Sequence, residues 1–150
     1  MAIDNDEVIS TLNNLVETCK DGQNGFRTAA EGIKDPKLIT LFNTYSQQRA
    51  QFAAELQNEV RRLGGDPEET GSTAAVIHRG WINIKSAVTG EDEAAIISEC
   101  ERGEDAAVKA YEEAVDLPAG VKTLVERQFV QVKEAHDRIR SLEKAKSQTN

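Results

Sequence analysis

The sequence of 150 residues is poor in aromatic residues, proline and cysteine, and it has no long apolar run. Aromatic side chains make up only 5% of the chain, and no apolar stretch approaches the ~20 residues that a membrane-spanning helix needs. The 2 cysteines, Cys19 and Cys100, show no Cys-x-x-Cys or Cys/His spacing, which excludes the common zinc-site patterns. Both cysteines fall on apolar helix faces, so we expect them to be small core residues.

Basic residues are also too few to balance the acidic ones. Lys and Arg number 18 against 26 Asp and Glu, which gives a net charge of −8. Nucleic acids and anionic membrane surfaces are bound mainly through Lys and Arg, so neither is an expected partner. The N-terminal segment MAIDNDEVIS has neither a basic region nor an apolar run and does not resemble a signal peptide. We therefore expect a cytoplasmic protein.

Helix-favouring residues, by contrast, are plentiful, and strand patterns are nearly absent. Apolar residues recur with helical periodicity along almost the whole chain. The breaks are Asp35-Pro36, which is typical of a helix start, then Gly64 with Asp66-Pro67, Gly90 and Pro118. The pattern predicts one domain over 1–150, ordered over about 4–145, with helices at about 4–33, 36–63, 73–88, 91–116 and 119–145.

The lengths of the connections predict how these helices are arranged. Short connections at 34–35 and 117–119 make the joined helices antiparallel neighbours. The middle connection, of roughly 27 residues, can return the chain along a helix of ~42 Å. We therefore predict an all-α, ferritin-like four-helix bundle, with a short fifth helix in the long crossover between the second and third long helices. A five-helix up-and-down array is the alternative.

Polar residues interrupt the apolar stripes of the long helices near mid-length. In ECERGEDAAVKAY the stripe carries Glu101 and Glu104, the second helix carries Arg49, and the last carries Gln128 and His136. These interruptions should lie at one level of the bundle. Arg pairs well with carboxylates, and a buried charge requires a partner, so we favour an ion-pair network in which Arg49 meets Glu104 or Glu101.

A metal site is the second interpretation of the same residues. Its ligands would be Glu101, Glu104 and His136, with Glu55 as a fourth, and iron or manganese would be the ion. A di-metal site in a helical bundle needs a Glu-x-x-His motif on two helices. Asn58 stands where the histidine after Glu55 should be. We therefore predict no catalytic residue and no cofactor; any enzyme activity would be a metal-dependent oxidation.

The short helix suggests contact with a second copy of the chain. One side carries the apolar stripe with Trp81, and the other carries Ile82 with little charge. His78 lies beside Trp81 and is more typical of a surface or interface residue than of a metal ligand. We expect a homodimer that uses Trp81, Ile82 and His78.

Three segments together resemble a known bacterial family, the ferritin-like domain of unknown function 2383. They are IHRGWINIK, ECERGEDAAVKAYEEAV and RAQFAAELQNEVRRLGGDPEETGS, and the resemblance extends over about residues 6–143. It implies a ferritin-like bundle with a crossover helix, but no reaction. Relatives in the wider ferritin-like class oxidise or store iron, and some are linked to stress responses. Two functions follow: a non-enzymatic, stress-linked bundle acting through self-association or a protein partner, or a divergent iron- or manganese-binding protein.

Overall fold

The computed structural model describes residues 4–68 and 80–148, and all regular structure in these residues is helical. The all-α prediction is therefore confirmed for this part of the chain. No helix there combines the length and the apolar composition that crossing a bilayer requires. In chain order the helices are α1 (Asn5–Gly32), α2 (Pro36–Arg62), α3 (Ile84–Thr89), α4 (Glu93–Glu113) and α5 (Ala119–Gln148).

Aspartate side chains begin three of the helices. Asp4, Asp35 and Asp92 precede α1, α2 and α4, and each accepts a hydrogen bond, 2.9 to 3.2 Å long, from a backbone N–H two or three residues later. These bonds satisfy N–H groups that have no partner within the helix. Pro36 follows the second cap, at a position where its missing N–H costs nothing. The local chemistry of the sequence thus sets where the long helices start.

Two predicted helix boundaries need correction. The helix predicted over 73–88 is in part outside the described residues, since 69–79 are not among them. Within the described part, residues 80–83 form a turn and α3 begins only at Ile84. Gly80 has φ of +91°, which a right-handed helix does not allow, so Trp81 precedes the helix instead of lying on it. At the C-terminus, α5 extends to Gln148, a few residues beyond the predicted end at about 145, because Glu, Lys and Ala favour continued helix.

The directions of the helices follow from two separate apolar clusters. The first cluster joins the start of α1, the end of α2, the end of α4 and the start of α5, through Val8, Leu12, Leu15, Phe52, Leu56, Val60, Tyr111, Val121 and Val125. The second cluster joins the opposite ends of the same helices, through Phe26, Ala29, Leu38, Phe42, Ile96, Ile97 and Ile139. Because α2 and α4 both run from the second cluster to the first, they point the same way. The connection between them returns the chain along the length of the bundle.

Trp81 fixes the turn before α3 against the long helices. Its ring lies between Gly25 of α1 and Gly103 of α4, where a side chain on either glycine would collide with it: a Cβ would lie 2.3 Å from the ring at Gly25 and 2.1 Å at Gly103. The indole also meets the ring of Phe26 edge-on, with the ring centres 5.0 Å apart. The two glycines, which cost helix stability on their own, thus make room for a tryptophan that is only 2% exposed.

Candidate functional site

A buried ion pair lies at the boundary between the two apolar clusters. Both nitrogens of the Arg49 fork, Nη1 and Nη2, donate to the two carboxylate oxygens of Glu104 at 2.6 Å. The two side chains are 1% and 0% exposed. Arg49 Nε also donates to Gln48 Oε1 at 3.3 Å, and the guanidinium carbon lies 5.6 Å from the centre of the Phe26 ring. Gly22 of α1 leaves room for the arginine.

The electrostatics of this pair keep the Arg49 guanidinium charged. Burial lowers the pKa of Arg49, because it disfavours the charged form. The charge of Glu104 and its hydrogen bonds outweigh this effect, so the pKa of Arg49 lies above its ordinary value. The carboxylate of Glu104 therefore faces a permanent positive charge, and both of its oxygens are engaged.

A second buried polar chain lies within the first apolar cluster. Cys19 Sγ is 3.2 Å from the hydroxyl oxygen of Tyr111, and that hydroxyl donates to Gln128 Oε1 at 2.8 Å. Gln128 Nε2 donates to Glu55 Oε1 at 2.9 Å, and Arg127 Nη2 lies 3.5 Å from the other oxygen of Glu55. Gln128 and Glu55 thus bond to each other and not to the Arg49 pair, although the charges of that pair act on Cys19 and Tyr111. Sequence analysis did not assign Tyr111 this role, because its place on the apolar stripe indicates a core residue only.

The thiols of Cys19 and Cys100 should be unreactive in the folded protein. Burial raises the pKa of Cys19 to about 11, although the hydrogen bond with Tyr111 lowers it in part, and burial also raises the pKa of Cys100. Since the thiolate is the reactive form, we expect no reaction of native protein with a thiol-disulfide reagent at pH 8. In denaturant both thiols should react. Rapid labelling of either one in the native protein would contradict this placement.

A group of potential metal ligands lies on the surface between α4 and α5. Glu101, Asp105 and His136 each bring one ligand atom within 4.8 Å of the other two. His136 Nε2 lies 2.6 Å from Asp105 Oδ1, and His136 Nδ1 lies 3.1 Å from Asp137 Oδ1. The side chain of His136 is 12% exposed, whereas that of Asp105 is 60% exposed. The histidine is therefore largely enclosed, while the group opens to water on the aspartate side.

The charges around this surface group are mostly negative. A hydrogen bond with Glu143, burial, and the charges of Glu143 and Asp105 together raise the pKa of Glu101 to about 7. Burial lowers the pKa of His136, but its contacts with Asp137 and Asp105 leave it above the ordinary value. Arg140 Nε, 3.9 Å from Glu101 Oε1, is the positive group that contacts Glu101 in this region.

The structure divides the predicted metal ligands between different places. It brings Glu101 and His136 together, but the third member of their group is Asp105, not Glu104, and Glu55 lies elsewhere. The reason is helix geometry. Successive residues are ~100° apart around the helix axis, so Glu104 lies to one side of Glu101 and Asp105 to the other. Glu104 turns inward to Arg49 and Asp105 turns outward to His136. The four-residue spacing of Glu101 and Asp105 is the signal that could have identified the pair.

The residues predicted for an interface are also separated. Trp81 is 2% exposed and packs inside the chain, so it offers no free surface. Ile82 is 61% exposed, among the most exposed large apolar side chains of the described residues. His78 lies outside the described residues. The dimer prediction therefore depends, in the described part, on Ile82.

A comparison with known protein families assigns this chain to a family. The family model described as "Domain of unknown function (DUF2383)" matches residues 7–117, well over half of the chain. That range includes α1 to α4, the ion pair and two members of the surface group, Glu101 and Asp105. A comparison with curated proteins found no match. The chain belongs to the DUF2383 family.

Proposed function

We propose that this protein is a non-enzymatic, ferritin-like bundle that acts by associating with a second copy of itself. The observation that carries the structural part of the proposal is the Arg49–Glu104 ion pair, because a ferritin-like metal centre needs free inward carboxylates and an arginine occupies this one. A fixed guanidinium at this level repels a cation. The interior therefore supports a structural role better than an oxidation reaction.

The completeness of the interior also supports this proposal. Among the described side chains, no buried nitrogen or oxygen lacks a hydrogen-bond partner. Interior catalytic or ligand sites usually keep polar groups free for the incoming molecule. Among the described residues such groups are bonded within the protein, so we expect a partner to bind at the outer surface.

The surface feature that fits self-association is Ile82. It follows the fully packed Trp81, in a turn bounded by Gly80 and α3, so its side chain is held outward by a fixed backbone. Burying this side chain against a second copy would remove its apolar surface from water, which favours association. A twofold contact would bury Ile82 of one copy against the same region of the other.

Light scattering on the full chain at high micromolar concentration tests the proposal. We expect the mass of a homodimer. Ile82→Asp should shift the mass toward that of the monomer, since it places a charge in the contact. Val130→Asp is the matched control, because Val130 is 58% exposed on α5 and should leave the mass unchanged. A monomeric mass for the unaltered protein, or equal effects of the two variants, would contradict self-association through Ile82.

A further inference from the structure

We propose that Glu101, Asp105 and His136 form a binding site for one divalent transition-metal ion on the outer surface between α4 and α5. The site is independent of self-association and differs from the interior set expected from the sequence. Two ligands lie one helical turn apart on α4, and the third comes from the facing helix α5. Their ligand atoms already lie within 4.8 Å of one another, so one ion could contact all three after small side-chain rotations.

The setting of the histidine is the strongest argument for a metal. Asp137 Oδ1 lies 3.1 Å from His136 Nδ1, so that nitrogen can carry the proton and donate it. The 2.6 Å contact between Nε2 and Asp105 Oδ1 is a hydrogen bond in the metal-free protein, so an ion would replace its proton and the two atoms would move slightly apart to bind it. A carboxylate that holds the outer nitrogen of a ligating histidine is a recurrent feature of metal sites. Asp137 is thus a positioning residue, not a ligand.

The local charge also favours a cation. Glu143 lies within hydrogen-bonding reach of Glu101, and Asp137 borders His136, so two further carboxyl groups flank the two carboxylate ligands. The positive group on Glu101, Arg140, is 58% exposed and 3.9 Å away, and it can turn into water. This differs from the interior pair, where Arg49 is enclosed and cannot leave Glu104.

The kinds of ligand indicate the class of ion. Imidazole suits zinc, iron, nickel and copper, whereas magnesium and calcium prefer sites made of oxygen atoms alone. One imidazole and two carboxylates therefore favour a transition metal over magnesium. Zinc is the most practical probe, because it binds nitrogen and oxygen ligands strongly and undergoes no redox change.

Isothermal titration of the full chain with Zn²⁺, in a buffer that does not chelate zinc, tests this site. We expect one ion per chain and at least tenfold weaker binding in both His136→Gln and Asp105→Asn. Asp105 is largely exposed, so Asp105→Asn should fold normally even if the histidine variant does not. Asp137→Asn should weaken binding less than either. Mg²⁺ should give no comparable heat.

Two control variants separate a built site from general attraction to an acidic surface. Glu134→Gln removes one exposed negative charge from another face of α5, and His78→Ala removes the other histidine of the chain. Both should bind zinc as the unaltered protein does. The proposal fails if His136→Gln and Asp105→Asn bind normally, or if Glu134→Gln weakens binding equally. A stoichiometry of one zinc per two chains would contradict a site within one chain. The proposed function is tested separately, by the light-scattering mass of the protein without zinc, so the two proposals can fail independently.

Discussion

Replacing Glu104 by alanine is expected to lower the free energy of unfolding by about 3–5 kcal/mol, among the largest effects of any single substitution in this chain. The variant leaves the Arg49 guanidinium buried at 1% exposure without its counter-charge, beneath Gly22 and beside the ring of Phe26. Water cannot reach the charge without opening the bundle. Chemical denaturation followed by circular dichroism measures the change.

Two further variants show whether the loss comes from the stranded charge. The double variant Arg49→Met with Glu104→Leu removes both charges and keeps most of the volume, so it should recover much of the stability. Glu59→Ala is the matched control, because it breaks a surface pair with the exposed Arg62 and should cost far less than Glu104→Ala. A double variant that is as unstable as Glu104→Ala would contradict this explanation.

The same substitution separates an interior metal from a surface metal. A ligand that binds only the folded state raises the melting temperature. If a metal bound inside the bundle, the rise produced by ferrous or manganous ion would disappear in Glu104→Ala and persist in Asp105→Asn. The surface site requires the reverse. The variants should have the same melting temperature before metal is added. A low concentration of denaturant, added to the more stable variant, provides this.

Gly103→Ala should be the second severe substitution, with a loss of about 2 kcal/mol or more in the free energy of unfolding. The new Cβ would lie 2.1 Å from the Trp81 ring, and the ring cannot retreat because Gly25 and Phe26 hold its other side. In an exposed helix the same exchange would gain about 1 kcal/mol from helix propensity. Overpacking of a rigid indole outweighs that gain.

Gly120→Ala provides the control of opposite sign. A Cβ at Gly120 meets nothing within 4 Å, so this variant should be neutral or slightly more stable. Trp81→Leu in the Gly103→Ala background should cost less than the sum of the two single changes, because the smaller side chain removes the collision. If thermal melting shows Gly103→Ala and Gly120→Ala shifting the midpoint upward together, the close packing of Trp81 against Gly103 is wrong.

Local chemistry allowed much of the fold to be predicted. Helical periodicity and the capping residue Asp35 give the starts of α1, α2, α4 and α5 to within about two residues, because these signals act over a single turn. The third helix was the exception. Glycine adopts positive and negative φ about equally, so the sequence does not predict the φ of +91° at Gly80, which the packing of Trp81 selects.

The sequence by itself also determined that polar side chains interrupt the apolar stripes near the middle of the helices, since that follows from counting turns along each helix. The tertiary structure decided what each one does. A rotation of ~100° per residue sends Glu104 to Arg49 and Asp105 to His136, and no local signal tells which neighbouring carboxylate faces inward. The tertiary structure also explains Gly25 and Gly103, which lower helix stability on their own but leave the space that Trp81 occupies. The sequence does not show this, because contacts between distant segments exist only after the helices have packed.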